Sequence, residues 1–518
     1  MINLESFSMV PGQQAFITEV ARRPNGPVPS PEAARWVRWL EGLIFFFLIL
    51  FAILLPHSIK GARHAWMAAG FLWLAKLAIE RKRPFPQALS APLLAYIVLS
   101  AISTALSHDP YLSWPRLKVV CLVLAGTVVA QNLQRLSQVR ILVLLLLLSG
   151  LAAAAFTAWQ YTYGVGVQVK YIAPTADLHR AGIHAGDIIT HVNGRSVHTP
   201  EQLSKVVQSR SGTMLRIKYL QGEPFHKRET FLTGEQFVKS GLGTPYLQLA
   251  RGKPGRAQGT LGHYIVFAEM LMQLGCLAWA MLLSTQPQKW GIRTILAIVF
   301  LALTAALLAT QTRADLAGLT AGCVVALWLL GRKGTSIWAF AGLVLLVLLA
   351  TLWIHHTRRL DWVSPADAGT HFRVLMWEDG VRLIRQHPWF GVGMDTIFNH
   401  WQEWNIRGFA LYRVIYHFHS DYIQIAVERG LLTLAAWLWF VVAYVVFLVR
   451  LLRQTREHSR FATGVVAGVL AAFVGYLVPS TVQYCLGDDP LVMIMFFYFG
   501  LAVAVDRMLK TPGAVDVP

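Results

Sequence analysis

The sequence predicts an all-α polytopic membrane protein of about 12 transmembrane helices, with a small α/β insertion and a large extracytoplasmic loop between helices 9 and 10. Two observations predict this class. Hydrophobic residues make up 55% of the 518 residues and charged residues only 14%, which is too little charge to cover the surface of a soluble globule. Apolar runs long enough to cross a hydrocarbon core of about 30 Å also recur along the chain.

The polar N-terminal segment precedes the first apolar run. It contains Pro24, Pro27, Pro29 and Pro31 and lacks the order of charged and apolar regions of a cleaved signal peptide. Residues 1–35 are therefore expected to form a cytoplasmic tail.

Twelve apolar runs are candidate spans. They are roughly Leu40–Leu55, His64–Ile79, Ala91–Leu106, Leu117–Leu133, Val139–Tyr161, Leu261–Leu283, Trp290–Thr310, Ala314–Leu330, Thr335–Ile354, Leu431–Val449, Phe461–Leu477 and Leu491–Val505. They group into helices 1–5 in residues 36–163, helices 6–9 in 256–354 and helices 10–12 in 431–508, followed by a cytoplasmic tail at 509–518.

The basic residues divide unequally between the two sides. With the N-terminus inside, the cytoplasmic links and tails carry 19 Lys or Arg, and the short outer links carry five, namely Lys60, Arg63, Arg116, Lys118 and Arg313. This asymmetry fits the positive-inside rule and explains part of the net charge of +19 without nucleic acid. It also places residues 162–260 and the large loop outside.

The four cysteines stand singly, at positions 121, 276, 323 and 485. Their spacing indicates neither a metal site nor a disulfide framework, and we expect small buried apolar side chains.

The first outer segment has the pattern of a small soluble domain. A strand over Val167–Ile172 is followed by ADLHRAGIHAGDIITHVNGRSV and by a helix that Thr199 can cap, with Pro200 at its first position. Alternating residues then predict strands over Leu215–Tyr219 and Glu229–Leu232.

This segment resembles a bacterial PDZ domain in Ala181–Ile189 and in Val192-Asn193-Gly194. The resemblance implies a periplasmic domain over residues 164–255 that binds extended peptides at a sheet edge. Gly164-Val165-Gly166-Val167 is the expected carboxylate-binding loop. The alternative is a spacer or shield over the outer face.

The large loop, residues 355–430, holds seven of the 17 histidines, namely His355, His356, His371, His387, His400, His417 and His419. Within it, an amphipathic helix is predicted over 371–386, capped by Thr370. Its apolar face is expected to carry Val374, Trp377, Val381 and Ile384. Arg373 and Trp377 lie one turn apart and can face the same neighbour. A helix lying on the membrane surface is the alternative.

Two arginines flank outer span ends. Arg313 lies between the seventh and eighth spans, where an arginine at membrane depth costs about 2.5–3.5 kcal/mol unless it is paired or faces water. Arg256 precedes the sixth span. Each is explained either by an interfacial position or by contact with an anion.

The end of the large loop has a helix start. Ser420 can cap a helix that enters the tenth span, and a helix N-terminus suits phosphate. His419 would lie at that position, where a neutral imidazole can accept a proton from a sugar hydroxyl. His417 and His419 could also hold a metal, but no third ligand has an obvious place, so no metal is assigned.

Five motifs in order resemble the O-antigen ligase superfamily, which includes lipopolysaccharide O-antigen ligases, polysaccharide polymerases and some protein O-oligosaccharyltransferases. The motifs are Arg256 with Gly259, Thr312-Arg313, Arg373-x-x-x-Trp377, Pro388-x-x-Gly391-x-Gly393, and His419-Ser420-Asp421-Tyr422-Ile423-Gln424 followed by Glu428-x-Gly430. Ser420 and Ile423 replace the family's Asn and Leu. The resemblance covers most of the chain outside the PDZ-like insertion.

The resemblance implies an inverting, metal-independent glycosyltransferase of polysaccharide biosynthesis in the bacterial inner membrane, with its active site on the periplasmic side. The donor would be a glycan on a polyprenyl (undecaprenyl) diphosphate, with no further cofactor. The acceptor would be linked to lipid, glycan or protein. Arg313 and Arg373 are expected to bind the diphosphate with help from Arg256, and His419 is the expected general base.

Trp377, Tyr422 and Gln424 are expected to bind and orient the substrate. The rival class is a glycan or lipid transporter or flippase, which would carry charges near the midplane and paired halves. A membrane protease is disfavoured because the chain has neither His-Glu-x-x-His nor Gly-x-Ser-x-Gly.

Overall fold

The computed structural model describes residues 31–80, 89–221, 226–253, 255–331, 342, 368–408 and 417–510. The long helices before the insertion are α1 Pro31–Leu54, α2 Ile59–Glu80, α3 Ser90–Ala105, α4 Pro110–Asn132 and α5 Leu136–Tyr163. The insertion contains three short helices, α6 Asp177–Arg180, α7 Pro200–Gln208 and α8 Gly234–Lys239. The helices after it are α9 Tyr264–Ser284, α10 Trp290–Thr310, α11 Arg313–Leu330, α12 Ala368–Gln386, α13 Asp421–His458, α14 Arg460–Leu477 and α15 Asp489–Lys510. The strands are β1 Gly166–Ile172, β2 Ile188–Val192, β3 Arg195–Ser196, β4 Met214–Gln221, β5 His226–Thr233 and β6 Leu247–Gly252.

Within these ranges, nine helices are long and apolar enough to cross a membrane: α1, α4, α5, α9, α10, α11, α13, α14 and α15. Helix α3 is apolar but has only 16 residues, and α2 corresponds to the predicted second span. The predicted span Thr335–Ile354 lies outside the described residues. The chain is a multi-pass membrane protein of mostly helical structure.

Successive membrane helices from α1 to α11, and again from α13 to α15, run in opposite directions and pack into one bundle. At one end, the Thr260 hydroxyl donates to the carbonyl of Pro56 at 2.6 Å, and the Leu486 amide donates to Asp421 at 2.9 Å. We call this the first end of the bundle. At the opposite, second end, Lys76 pairs with Glu41 at 2.7 Å. The inserted domain and the large loop both connect to helices at the first end.

The insertion forms one antiparallel sheet in the order β5-β4-β2-β1-β6, with β3 paired to β2. Asn193 and Gly194, both with positive φ, make the tight β2–β3 turn that requires this conformation. As predicted, Thr199 caps α7 by accepting from the Gln202 amide, and Pro200 occupies the first turn.

The loop expected to bind a carboxylate is not at a sheet edge. Gly166 and Val167 begin β1, which pairs with β6 on one side and with β2 on the other. The Val165 amide donates to the carbonyl of Gly252 at 2.8 Å. Both edges of β1 are therefore taken, and the outer strand on this side of the sheet is β6, beside which α7 packs.

The predicted apolar face of the loop helix is wrong in part: Ile384 packs against a buried cluster, but Val374 and Val381 do not. Helix α12 begins at Ala368, so Thr370 lies within it, and Val374 and Val381 are 43% and 42% exposed. The buried face of α12 consists of Phe372, Met376, Asp379 and Leu383. It packs onto a cluster that includes Ile406, Phe418 and Val427. The hydrophobic pattern of the sequence misses this face because one of its members, Asp379, is a carboxylate.

Candidate active site at the first end of the bundle

A pinned turn precedes helix α13. Ser420 caps the helix by accepting from the amide of Ile423. The Phe418 amide donates to the Gln424 side chain at 2.7 Å, and the indole N–H of Trp377 donates to the Phe418 carbonyl at 3.1 Å. His419 adopts a φ of +51°, a strained conformation for such a side chain. Both Trp377 and Gln424 thus fix the position of His419.

Two imidazoles meet edge to face in this turn. The ring centroids of His417 and His419 are 4.3 Å apart, and the His419 amide donates to Nδ1 of His417 at 3.4 Å. Phe372 contacts the other side of the His419 ring, edge to face at 5.4 Å. Nε2 of His419 is buried and has no hydrogen-bond partner among the described residues.

Both imidazoles are held neutral. Burial lowers the pKa of His417 to about 4, with further lowering by the nearby His263 and by Arg373. Burial lowers the pKa of His419 even further, and His417 and Arg373 add to the effect. The charge of Arg373 therefore acts on both rings, which places it beside them. A neutral His419 can accept a proton.

Arg256 is anchored beside this turn. Its guanidinium donates to the carbonyls of Thr310 and Gln311 at 3.0 Å each and lies over the ring of Tyr264 at 3.7 Å. Burial and the charge of Arg256 lower the pKa of His263. The charge of Arg256 thus acts on His263, and His263 in turn acts on His417 in the turn before α13.

Arg313 is the first residue of α11. It follows Gln311, whose φ is +56° and whose carbonyl binds Arg256. Arg313 thus begins the helix that follows the α10–α11 connection, and Arg256 binds the same connection from the segment before α9. Arg373 belongs to α12 of the large loop.

Tyr422 binds the segment after α14. Its hydroxyl accepts from the Ser480 hydroxyl at 3.3 Å. Tyr422 and Gln424 have contacts that order the protein chain around His419.

A cavity of ≈ 240 Å³ lies beside the turn. His417 and Gln424 line it, whereas His419, Arg313 and Arg373 are not among its lining residues. Glu428 of the last motif also lines it, but most of the polar lining was not predicted from the sequence to belong to a site: Arg116, Asp395, Arg429, Tyr484 and Asp488. Burial raises the pKa of Asp488 to about 7, with the neighbouring Asp489 adding to it.

The glycine motifs have a steric cause. The amides of Val392 and Gly393 donate to the carbonyls of Val427 and Glu428 at 2.9 and 2.8 Å. A Cβ at Gly391 would collide with the backbone of Val427 and Glu428, and one at Gly430 would collide with the carbonyl of Trp389. The two motifs therefore pack backbone to backbone, which fixes the loop against α13.

Buried carboxylates of α9, α11 and α13 bind α14 and the segment between α14 and α15. Asp421 accepts from the Tyr476 hydroxyl at 2.6 Å, Cys485 donates to Glu269 at 2.9 Å, and Gln483 donates to Asp315 at 3.4 Å. All three carboxylates are fully buried. The signal that could have found them is an acid within an apolar run, which is costly unless it has a partner.

Comparisons with known families agree with the motifs. Residues 297–438 match the O-antigen ligase family, and residues 173–221 match the PDZ domain family. A comparison with curated proteins found no match. The ligase match includes Arg313, Arg373 and His419, whereas Arg256 precedes it. The resemblance predicted from the sequence is thus confirmed: this multi-pass membrane protein carries an O-antigen ligase domain over residues 297–438 and a PDZ domain over residues 173–221.

Proposed function

We propose that the protein transfers a glycan from a polyprenyl-diphosphate carrier to an acceptor hydroxyl at the extracytoplasmic face of the bacterial inner membrane. The O-antigen ligase domain makes a membrane glycan ligase or polymerase the coarse activity. The single observation that supports the detailed proposal is the pair of imidazoles, His417 and His419, at the start of α13, with Arg373 near enough for its charge to lower the pKa of both.

His419 is the proposed general base. Its buried Nε2 takes the proton of the acceptor hydroxyl as that oxygen attacks the anomeric carbon of the donor. The bond from the anomeric carbon to the diphosphate oxygen breaks, and its electron pair leaves with the lipid diphosphate. One displacement of this kind inverts the anomeric configuration.

The arginines are the proposed diphosphate ligands. Negative charge grows on the leaving diphosphate, and guanidinium groups bind phosphate oxygens in forked pairs. Arg373 lies close enough to the two imidazoles to lower their pKa values. A bound diphosphate would offset this positive charge, so donor binding would raise the basicity of His419 when the acceptor arrives.

Arg313 and Arg256 meet at the α10–α11 connection, Arg313 as the first residue of α11 and Arg256 from the segment before α9. Arg313 begins α11, whose N-terminal dipole favours an anion. Arg256 spends two donors on the Thr310 and Gln311 carbonyls, so we assign it to fixing this connection and assisting the donor site. Since two guanidiniums and the helix N-terminus supply the positive charge, the proposed transfer needs no metal ion.

The test is a transfer assay with the purified protein in lipid nanodiscs, using a lipid-linked glycan donor and candidate acceptors, with the products sized. His419→Ala is expected to lower transfer at least 100-fold, within the range of a lost general base, while donor binding persists. His387→Ala is the matched control, because His387 is an exposed histidine of the same loop, and it is expected to keep full activity. Equal activity of the two variants would contradict the assignment.

The acceptor class is tested by the same products. A single discrete addition indicates a ligase, and a ladder indicates a polymerase. Release or passage of the donor lipid without glycan transfer in the wild type would instead favour a transporter.

The PDZ domain is the proposed binding site for an extended peptide of a protein partner. PDZ domains bind by adding a strand to a sheet edge, and β6 is the outer strand that lies against α7. β6 ends at Gly252, four residues before Arg256. The strand that would bind the peptide is therefore joined by a short segment to a residue of the proposed donor site.

A further inference from the structure

A second group of histidines lies apart from the proposed base, at the contact between the α3–α4 connection and the large loop. One ligand atom each from His108, His400 and Glu403 falls within a mutual distance of 4.8 Å. The residues come from chain segments almost 300 positions apart, and the second segment supplies its pair with His-x-x-Glu spacing.

The distances fit a tetrahedral zinc site. Oε2 of Glu403 lies 3.1 Å from Nδ1 of His400 and 3.4 Å from Nε2 of His108. Ligands bound to Zn²⁺ at about 2.0–2.2 Å with tetrahedral angles are about 3.3–3.5 Å apart. The same carboxylate oxygen is thus at ligand-to-ligand distance from both imidazoles.

The rings are held in place by groups around them. Trp404, which is 9% exposed, packs on His108 and His400 with centroid distances of 5.3 and 5.4 Å. Nε2 of His400 faces Oδ2 of Asp109 at 3.7 Å. A carboxylate on the far nitrogen is the usual partner of a metal-bound histidine. The side chains of His108 and Glu403 are 42% and 52% exposed, so an ion from water can enter and a water can complete the coordination.

We propose that His108, His400 and Glu403 bind one Zn²⁺ ion that ties the large loop to the membrane bundle. Two imidazoles and one carboxylate favour Zn²⁺ over Mg²⁺ and Ca²⁺, which take oxygen ligands. The backbone supports the position, because the His108 amide donates to the Val392 carbonyl at 3.0 Å. Val392 belongs to the glycine motif that packs on α13. The ion therefore strengthens an existing contact between these two segments.

The test uses the full chain purified in detergent, stripped with a chelator, desalted and titrated with Zn²⁺ alone. The wild type is expected to bind one tight equivalent and to show a higher thermal midpoint with Zn²⁺. His400→Ala is expected to bind at least tenfold more weakly and to lose the zinc-dependent shift. Co²⁺ is expected to give the visible absorption of a tetrahedral site in the wild type only.

His184→Ala is the matched control. The rings of His179 and His184 in the PDZ domain are 4.7 Å apart, as are those of His108 and His400, and His184 lies 3.9 Å from Asp187. This variant therefore disrupts a similar histidine pair elsewhere and is expected to keep the tight equivalent. If His400→Ala does not fold, Glu403→Gln removes the anionic ligand at nearly constant size. Tight binding that survives both variants, binding of Mg²⁺ as tight as that of Zn²⁺, or no saturable binding in the wild type would overturn the proposal.

Discussion

At the scale of single residues, the site depends on groups kept in unusual states. His419 has a positive φ and a buried, free Nε2, and its pKa is lowered by burial and by the charges around it. Such strain is maintained only where surrounding contacts determine the backbone. Here those contacts are the Trp377 donor to the Phe418 carbonyl and the Gln424 acceptor for the Phe418 amide.

The lowered pKa of His417 predicts how stability depends on pH. The pKa of His417 is about 4 in the folded protein and about 6.5 when unfolded. Between these values the unfolded state binds more protons, so the free energy of unfolding falls as the pH falls, by up to about 1.4 kcal/mol per pH unit. Thermal midpoints in detergent are expected to drop from pH 6.5 to pH 5. The drop should be smaller in His417→Gln, and parallel curves for the two proteins would contradict this origin.

The sequence marks some residues near the candidate site and misses others for a physical reason. The motifs mark Arg373, Trp377 and His419, which the structure places around one turn. They do not mark Asp379, whose carboxylate accepts from the backbone and side chain of Arg407 at 2.8 and 3.0 Å. A buried charge depends on a distant partner, and local periodicity contains no information about that partner.

At the scale of elements, backbone contacts hold the large loop against helix α13. The Leu431 amide donates to the carbonyl of Pro388 at 2.7 Å. Gly430 interrupts the helical dihedrals of α13 with φ of +81° and ψ of 170°. This break lets the loop segment Gly391–Gly393 lie against Val427 and Glu428 of α13. The contact explains why both motifs contain glycine at these positions.

This contact predicts the cost of a single methyl group. Gly430→Ala introduces a strained φ and a collision with the Trp389 carbonyl, which together are expected to cost about 2–5 kcal/mol. The measurement is the thermal midpoint in detergent, with retention on size exclusion as the check on folding. Gly42→Ala in α1 is the matched control, because a Cβ there meets nothing within 4 Å and alanine favours a helix. A Gly430→Ala protein as stable as Gly42→Ala would refute the steric explanation.

The helix boundaries show which patterns can be read from sequence. The runs predicted at Leu261–Leu283 and Trp290–Thr310 correspond closely to α9 and α10, because a span must satisfy its backbone within one segment. Helix α12 is amphipathic and packs on protein, so its buried face depends on tertiary partners. The strands β2 and β6 were not separately predicted, since strand pairing is set by distant residues.

At the scale of the whole molecule, the alternation of helices places both described chain ends at the second end of the bundle. Arg507, near the end of α15, donates to the carbonyl of Gln131 at 3.1 Å, and Glu41 of α1 pairs with Lys76. The PDZ domain, the proposed base and the proposed zinc site all lie at or beyond the first end. The Lys and Arg asymmetry of the sequence then predicts which end faces the cytoplasm.

The orientation is tested with reporter fusions. A fluorescent protein fused after Pro518 is expected to fluoresce, and alkaline phosphatase at the same position is expected to be inactive. Alkaline phosphatase inserted at Gly212, an exposed residue of the PDZ domain with open space around it, is expected to be active. The opposite pattern would place the proposed active site in the cytoplasm and exclude the proposed periplasmic reaction.

The PDZ domain lies in the chain between the membrane helices α5 and α9. Its edge strand predicts where a partner binds. Strands β5 and β6 are both outer strands of the described sheet, but only β6 has α7 beside it to form a groove. A photo-reactive residue at the exposed Gln248 of β6 is therefore expected to cross-link a protein partner in cells. The same residue at the exposed Arg228 of β5 is the matched control and is expected to give little product.

The functional consequence of this binding is separable from transfer. Deleting residues 165–250 removes five of the six strands and most of β6 but leaves Arg256 and its carbonyl contacts in the chain. Glycan transfer to a simple acceptor is expected to persist in the deletion variant, because the proposed donor site lies in α11, α12 and the turn before α13. Partner cross-linking and the choice of acceptor are expected to change. Since β6 connects to Arg256 through only three residues, a deletion that abolishes transfer altogether would show instead that the domain positions the donor site.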